Sequence, residues 1–154
     1  MARYAKGTGV SVERSKEEAK RLLMKYGATR YMVMDGSHVA SVLFNLHERN
    51  LKINIPLPDR EDEEFTHTTG RKKARSSADS HKLWEKACRQ KWRVLILLLK
   101  ANLEAVEIGA VKFDEAFMPY FMTADGYTVA EKFLPTIDKT IKTGKLPKLL
   151  GTGE

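Results

Sequence analysis

The chain has 154 residues, 42% of them hydrophobic, which suffices for one domain with its own core and not for two of ordinary size. Its 27 Lys and Arg against 20 Asp and Glu leave a formal charge of +7, which favours an acidic partner such as a nucleic acid. The single cysteine, Cys88, excludes an internal disulfide and fits a reducing cytoplasm, and the most apolar run, Val94 to Leu99, falls far short of the roughly 20 residues a bilayer needs. The first residues, Met-Ala-Arg-Tyr, hold no apolar signal core, so the chain reads as neither secreted nor membrane-spanning. One glutamine among many Lys, Glu and Arg leans towards a thermophilic source.

In chain order, Val10-Ser11-Val12 predicts a short strand, and Ser15-Lys-Glu-Glu18 predicts a capping box. The helix it opens carries Ala19, Leu22, Leu23 and Tyr26 at helical spacing and stops at Gly27. From Arg30 the period becomes two: Tyr31 and Val33 alternate with Met32 and Met34, and Asp35-Gly36 supplies the chemistry of a tight hairpin. A second strand covers about His38 to Leu46, and Glu48-Arg49-Asn50 turns the chain into a third. There Leu51, Ile53 and Ile55 alternate with Lys52 and Asn54 until Pro56 and Pro58 end the ladder.

Residues 59–79 change character. An acidic run (Asp59, Glu61, Asp62, Glu63, Glu64) precedes Gly70 and the basic cluster Arg71, Lys72, Lys73, Arg75, with Phe65 almost the only apolar residue, so a mobile charged loop is expected. Asp79 or Ser80 can cap a long helix over 80–108, which Gly109 ends. Phe113 to Met122 and Thr128 to Phe133 read as a further strand or short helical pieces, Pro135 can open a last helix to about Thr143, and 144–154 is a Lys-rich tail, with Lys139, Lys142, Lys145 and Lys148 at threefold spacing.

The expected fold is one α+β domain over 1–154: a strand-helix-meander at 8–58, the loop, the long helix, then C-terminal elements at 110–143. A three- to four-stranded antiparallel sheet would be covered on one face by the helix, leaving the other face free to stay open.

The long helix sorts its residues. Lys82, Lys86, Arg89, Arg93 and Lys100 fall within an arc of roughly 60°, while Trp84, Cys88, Trp92, Leu95, Leu99 and Leu103 gather opposite them. Such a stripe is ordinarily the solvated side of an amphipathic helix. Without an acid inside the arc it is also a track for phosphates. Four cations in five residues on the loop before it repel one another unless a polyanion, or the nearby acidic run, neutralises them. Arg30 and Tyr31 are placed on the open sheet face, where the phenol could stack on a base. His38, His47, His67 and His81 are scattered without metal-ligand spacing, and no Walker A, GxGxxG, GxSxG or HExxH motif is present, so no metal or cofactor is expected.

Several stretches carry a resemblance: Val10-Ser-Val-Glu-Arg-Ser15, Tyr26-Gly-Ala, Ile55-Pro-Leu-Pro58, and above all Trp84-Glu-Lys-Ala-Cys-Arg-Gln-Lys-Trp-Arg93 running on to Lys100-Ala-Asn-Leu-Glu-Ala-Val-Glu107. Over about residues 8–137 the chain resembles a family of small bacteriophage and prophage proteins. The resemblance implies a phage or prophage origin and a bacterial cytoplasm, and it transfers no catalytic residue. By topology alone the chain is also similar to double-stranded RNA-binding domains and to phage single-strand annealing proteins.

The functional expectation is a non-enzymatic phage nucleic-acid-binding protein of low sequence specificity, favouring single-stranded DNA, with RNA open, in replication or recombination. Arg71, Lys72, Lys73, Arg75, Lys82, Lys86, Arg89 and Arg93 would contact phosphates, joined by Arg30 and Tyr31. The alternative is an interaction protein that modulates a host or phage enzyme through the same charged surface. A homo-oligomer is compatible with either.

Overall fold

Apolar residues at every second position from Tyr31 to Ile55 turn to one side and build a three-stranded antiparallel sheet in the order β1-β2-β3, with β1 at Arg30–Asp35, β2 at Val39–Leu46 and β3 at Arg49–Pro56. The computed structural model describes residues 4–145, so most of the expected basic tail, Lys148 included, lies outside the described residues. The remaining elements are α1 (Val12–Lys25), α2 (Glu63–Thr66), α3 (Ser77–Glu107), α4 (Phe113–Phe117), a 3-10 turn (Met118–Tyr120) and α5 (Val129–Thr143). The protein is α+β: an open three-stranded sheet with α1 and α3 packed on one face, and small C-terminal helices.

The register fixes which side chains meet the helices. Tyr31 pairs with Phe44 and Phe44 with Leu51, while Val33 pairs with Val42 and Val42 with Ile53. These face Ala19 and Leu23 of α1 and Trp92, Leu95, Ile96, Leu99 and Leu103 of α3, with Phe117 closing one end. The other face presents Met32 beside Leu43 and Lys52, and Met34 beside Ser41 and Asn54. Its methionines, Met32 and Met34, are exposed among the described residues.

Several expectations are corrected. Val10-Ser-Val forms no strand. Ser11 is extended (φ −65°, ψ 159°) and its Oγ accepts from the Arg14 N–H, so it caps α1 four residues earlier than expected. Ser15 is buried inside the helix rather than capping it. The turn between β2 and β3 is the two-residue His47-Glu48, both at positive φ (48° and 61°), which suits the twist of a tight hairpin. The segment 59–79 is folded: α2 packs on α3, Phe65 is buried, and His67 bridges Ala74. Ser76, not Asp79 or Ser80, caps α3. Finally, α5 opens at Val129 behind a reciprocal capping box of Thr128 and Glu131, leaving Pro135 inside the helix.

Candidate nucleic-acid interface

The basic cluster sits at the tip of a tight loop that leads into α3. The Thr68 N–H donates to the Lys73 carbonyl at 2.8 Å, the Lys72 N–H donates to the Thr68 carbonyl at 3.2 Å, and the Arg75 N–H donates to the Thr66 carbonyl at 2.7 Å. Gly70 at φ 96° and Lys72 at φ 46° make the reversal, a backbone state for which glycine is suited and lysine strained. Arg71, Lys72 and Lys73 are exposed there, and among the described residues Lys72 alone of the three has an acid partner, Glu63 at 3.1 Å. At the base of the loop Arg75 is half-buried, and its Nε donates to the His67 carbonyl at 3.0 Å.

Beside Arg75, around the first turn of α3, lies a pocket of about 350 Å³ lined by Arg60, Glu61, Thr66, Arg75, Ser77, Ser80, His81 and Trp84. Trp84 is anchored by its Nε1–H donating to the Pro58 carbonyl at 2.8 Å. The Arg60 guanidinium lies 4.8 Å from the Trp84 ring centroid and 2.8 Å from His81 Nδ1, while His81 also meets Glu85 at 3.2 Å. Arg60 and His81 were not among the expected contacts. They are distant in sequence, and only the return of 59–75 over the start of α3 brings them together.

The lysine-arginine stripe of α3 does not run free along the helix. Lys82 and Lys86 are exposed, but Arg89 donates from Nε to the Thr8 carbonyl at 3.3 Å and lies 3.9 Å from Glu85. Arg93 and Lys100 both bind Glu18 of α1, at 2.5 and 2.8 Å, and the Arg93 side chain is only 15% exposed. Hydrogen bonds from Arg93 and then Lys100 hold the Glu18 carboxyl at about 2, well below its usual 4.5. This half of the stripe is the seam between two helices, a use that the helix's own periodicity does not reveal.

Arg30 and Tyr31 also part company. Tyr31 turns towards the helices, where its hydroxyl donates to the Lys16 carbonyl at 2.8 Å and burial pushes the phenol up to about 12, so it is not on the open face. Arg30 is on that face and lines an apolar groove of about 600 Å³ with Met32, Leu43, Asn45, Asn50 and Met122, on the opposite side of the sheet from α3. Arg71, Lys72, Lys73 and Arg75 thus share one loop, and Lys82 and Lys86 the first turns of the helix it leads into, whereas Arg93 lies in the α1–α3 seam, Tyr31 among the helices and Arg30 on the far face of the sheet.

Other charged residues have structural partners: Tyr26 donates to Glu104 at 2.8 Å, and Arg49 lies 3.6 Å from Asp114. No helix among the described residues is long and apolar enough to cross a membrane. No protein-family profile, curated protein or solved structure matches the chain.

Proposed function

We propose that the chain is a non-enzymatic nucleic-acid-binding protein of phage or prophage origin, with single-stranded DNA in replication or recombination as its first ligand. One observation carries the reading. Arg71, Lys73, Arg75, Lys82 and Lys86 lie within residues 71–86, and among the described residues no carboxylate stands at ion-pair distance from any of them. Repulsion among these cations is relieved by a chain of phosphates.

The patch is short. From Ser77 to Lys86 α3 rises only about 14 Å, so a pliable single strand can curve over the loop and the helix start where a stiff duplex touches fewer points. Backbone-directed contacts of this type carry little base information. With Tyr31 turned inward, the interface rests on phosphates rather than on stacking. The phage origin rests on the resemblance carried by the Trp84–Arg93 block.

The test is fluorescence anisotropy with labelled single-stranded DNA, duplex DNA and RNA across a salt series. Binding to the single strand is expected to weaken steeply with salt. The triple variant Arg71→Glu, Lys72→Glu, Lys73→Glu is expected to lose at least an order of magnitude in affinity at low salt and to flatten the log–log salt slope by about 2. Unchanged affinity in the variant overturns the surface. No binding by the wild type overturns the reading itself and leaves the alternative, an interaction protein acting on an acidic protein patch.

A further inference from the structure

The C-terminal helix is held at its start, where it meets the 3-10 turn, and is largely exposed beyond it. Its first turn is secured by the Thr128–Glu131 capping box, by Lys132 on Asp125, by Asn54 Nδ2 donating to Glu131 Oε1 at 2.9 Å, and by Lys52 at 3.4 Å from Glu131, while Lys52 also donates to the Gly126 carbonyl just before the helix at 2.8 Å. Past Lys132, among the described residues, the side-chain hydrogen bonds of α5 reach no other element: Thr140 donates to the Thr136 carbonyl, Thr143 donates to the Lys139 carbonyl, and the Lys145 N–H just past the helix donates to Thr143 Oγ1. None of its residues is buried, and Pro135 removes one of its backbone hydrogen bonds. A 15-residue helix of this kind is marginal without packing. Yet its apolar residues form a stripe, Phe133, Leu134, Ile137 and Ile141, exposed from 40% to 75%.

The open sheet face has the matching deficit. Met32 and Met34 are 54% exposed and Val39 43%, beside the groove of about 600 Å³. Lys52 and Asn54, which grip the first turn of α5, stand on this same face, so helix and sheet patch are neighbours along one rim. Because the first turn is pinned, the helix cannot swing onto its own sheet without breaking its cap. A second copy can bring its helix there instead.

We propose that this surface is a homodimer interface in which α5 of each protomer lies on the open sheet face of the other. Area decides between this and a simple pairing of the two helices. At roughly 200 Å² per large apolar side chain, the α5 stripe offers about 400 Å² and the sheet patch about 300 Å². Helix against helix would bury about 800 Å² in total, the size of a casual contact, whereas reciprocal exchange buries about 1,400 Å², within the standard range for a stable complex. The exchange is also isologous, so it closes at two copies. It leaves the cations at the start of α3 free and does not depend on nucleic-acid binding.

Sedimentation velocity on the full chain, from low to high micromolar concentration, is expected to show a monomer–dimer equilibrium. Ile137→Glu on the helix and Met34→Glu on the sheet, both at exposed positions and checked for folding by circular dichroism, are each expected to weaken dimerisation at least about tenfold. Mixed together, the two variants are expected to form heterodimers more tightly than either pairs alone, because the sound helix of one meets the sound sheet of the other. A wild-type chain that stays monomeric overturns the proposal, whether or not it pellets with anionic phospholipid vesicles, pelleting pointing to a lipid surface instead. Dimerisation unaffected by Met34→Glu also overturns it, in favour of helix–helix pairing.

Discussion

The helices α3 and α5 are both amphipathic, and the fold treats them oppositely. In α3 the apolar side is sunk into the core, with Cys88, Trp92, Leu95, Ile96, Leu99 and Leu103 buried, and even part of its polar side is taken up by Glu18. In α5 the apolar side faces outward, and order comes from a cap at one end. An apolar stripe therefore makes a helix capable of packing without naming its partner. For α3 the partner is the sheet of its own chain; for α5 it has to be something else.

The largest expected effect follows directly. Trp92→Ala removes a ring that is 1% exposed at the centre of the α1–α3–sheet contact and should cost about 3–5 kcal/mol, whereas Phe133→Ala should cost less than about 0.5 kcal/mol in a dilute monomer. Urea unfolding at low and high protein concentration checks both. The cost of Phe133→Ala should grow with concentration if α5 is covered in the dimer and stay flat if it is not, while that of Trp92→Ala should not depend on it. Equal costs for the two substitutions would erase the distinction between the helices.

How far this contrast was legible in the sequence depends on whether the deciding contact is local. Alternation in the first and third strands announced the meander, because the period is a property of the strands themselves, but not which face of β1 is covered, since Tyr31 was expected on the open side. The His47-Glu48 turn was not legible, since it lacks glycine and asparagine. His47 stacks on Phe113 at 4.4 Å, from an element far along the chain. The order in 59–79 likewise comes from one buried ring, Phe65, and from backbone bonds between 66 and 75, which composition does not register. The Thr128-x-x-Glu131 capping pattern that opens α5 went unread, and Pro135 was the misleading signal. Within the candidate interface, the loop cations were readable as a cluster. The loss of Arg93 and Lys100 to Glu18 was not, because a helical arc sees only its own helix.

Glu18 offers a smaller and pH-dependent effect that sharpens the claim about the α3 seam. Its carboxyl is held at about 2 in the folded protein against a usual 4.5, so its stabilisation is fully present above the unfolded value and is lost as pH falls from about 4.5 towards 2. Glu18→Gln should destabilise the protein by on the order of 1–2 kcal/mol at neutral pH, since it leaves the mostly covered Arg93 without its counter-charge. Wild type and variant should converge as pH approaches 2. Parallel stability curves across that range would show that Glu18 is a bystander and would return Arg93 and Lys100 to the free cation surface.

The smallest effect has the opposite sign and lies beneath the same seam. Ser15 of α1 is fully buried, and its hydroxyl has no hydrogen-bond partner among the described residues, while its backbone N–H is already satisfied by the Ser11 carbonyl at 3.1 Å. Ser15→Ala removes an oxygen that gains nothing from burial, keeps the backbone bond and improves helix propensity. It should therefore stabilise by about 0.5–1 kcal/mol, seen as a rise in Tm of about 2 °C. A lower Tm would mean that this hydroxyl finds a partner in solution, and that the packing of α1 against α3 is less apolar than the contrast with α5 requires.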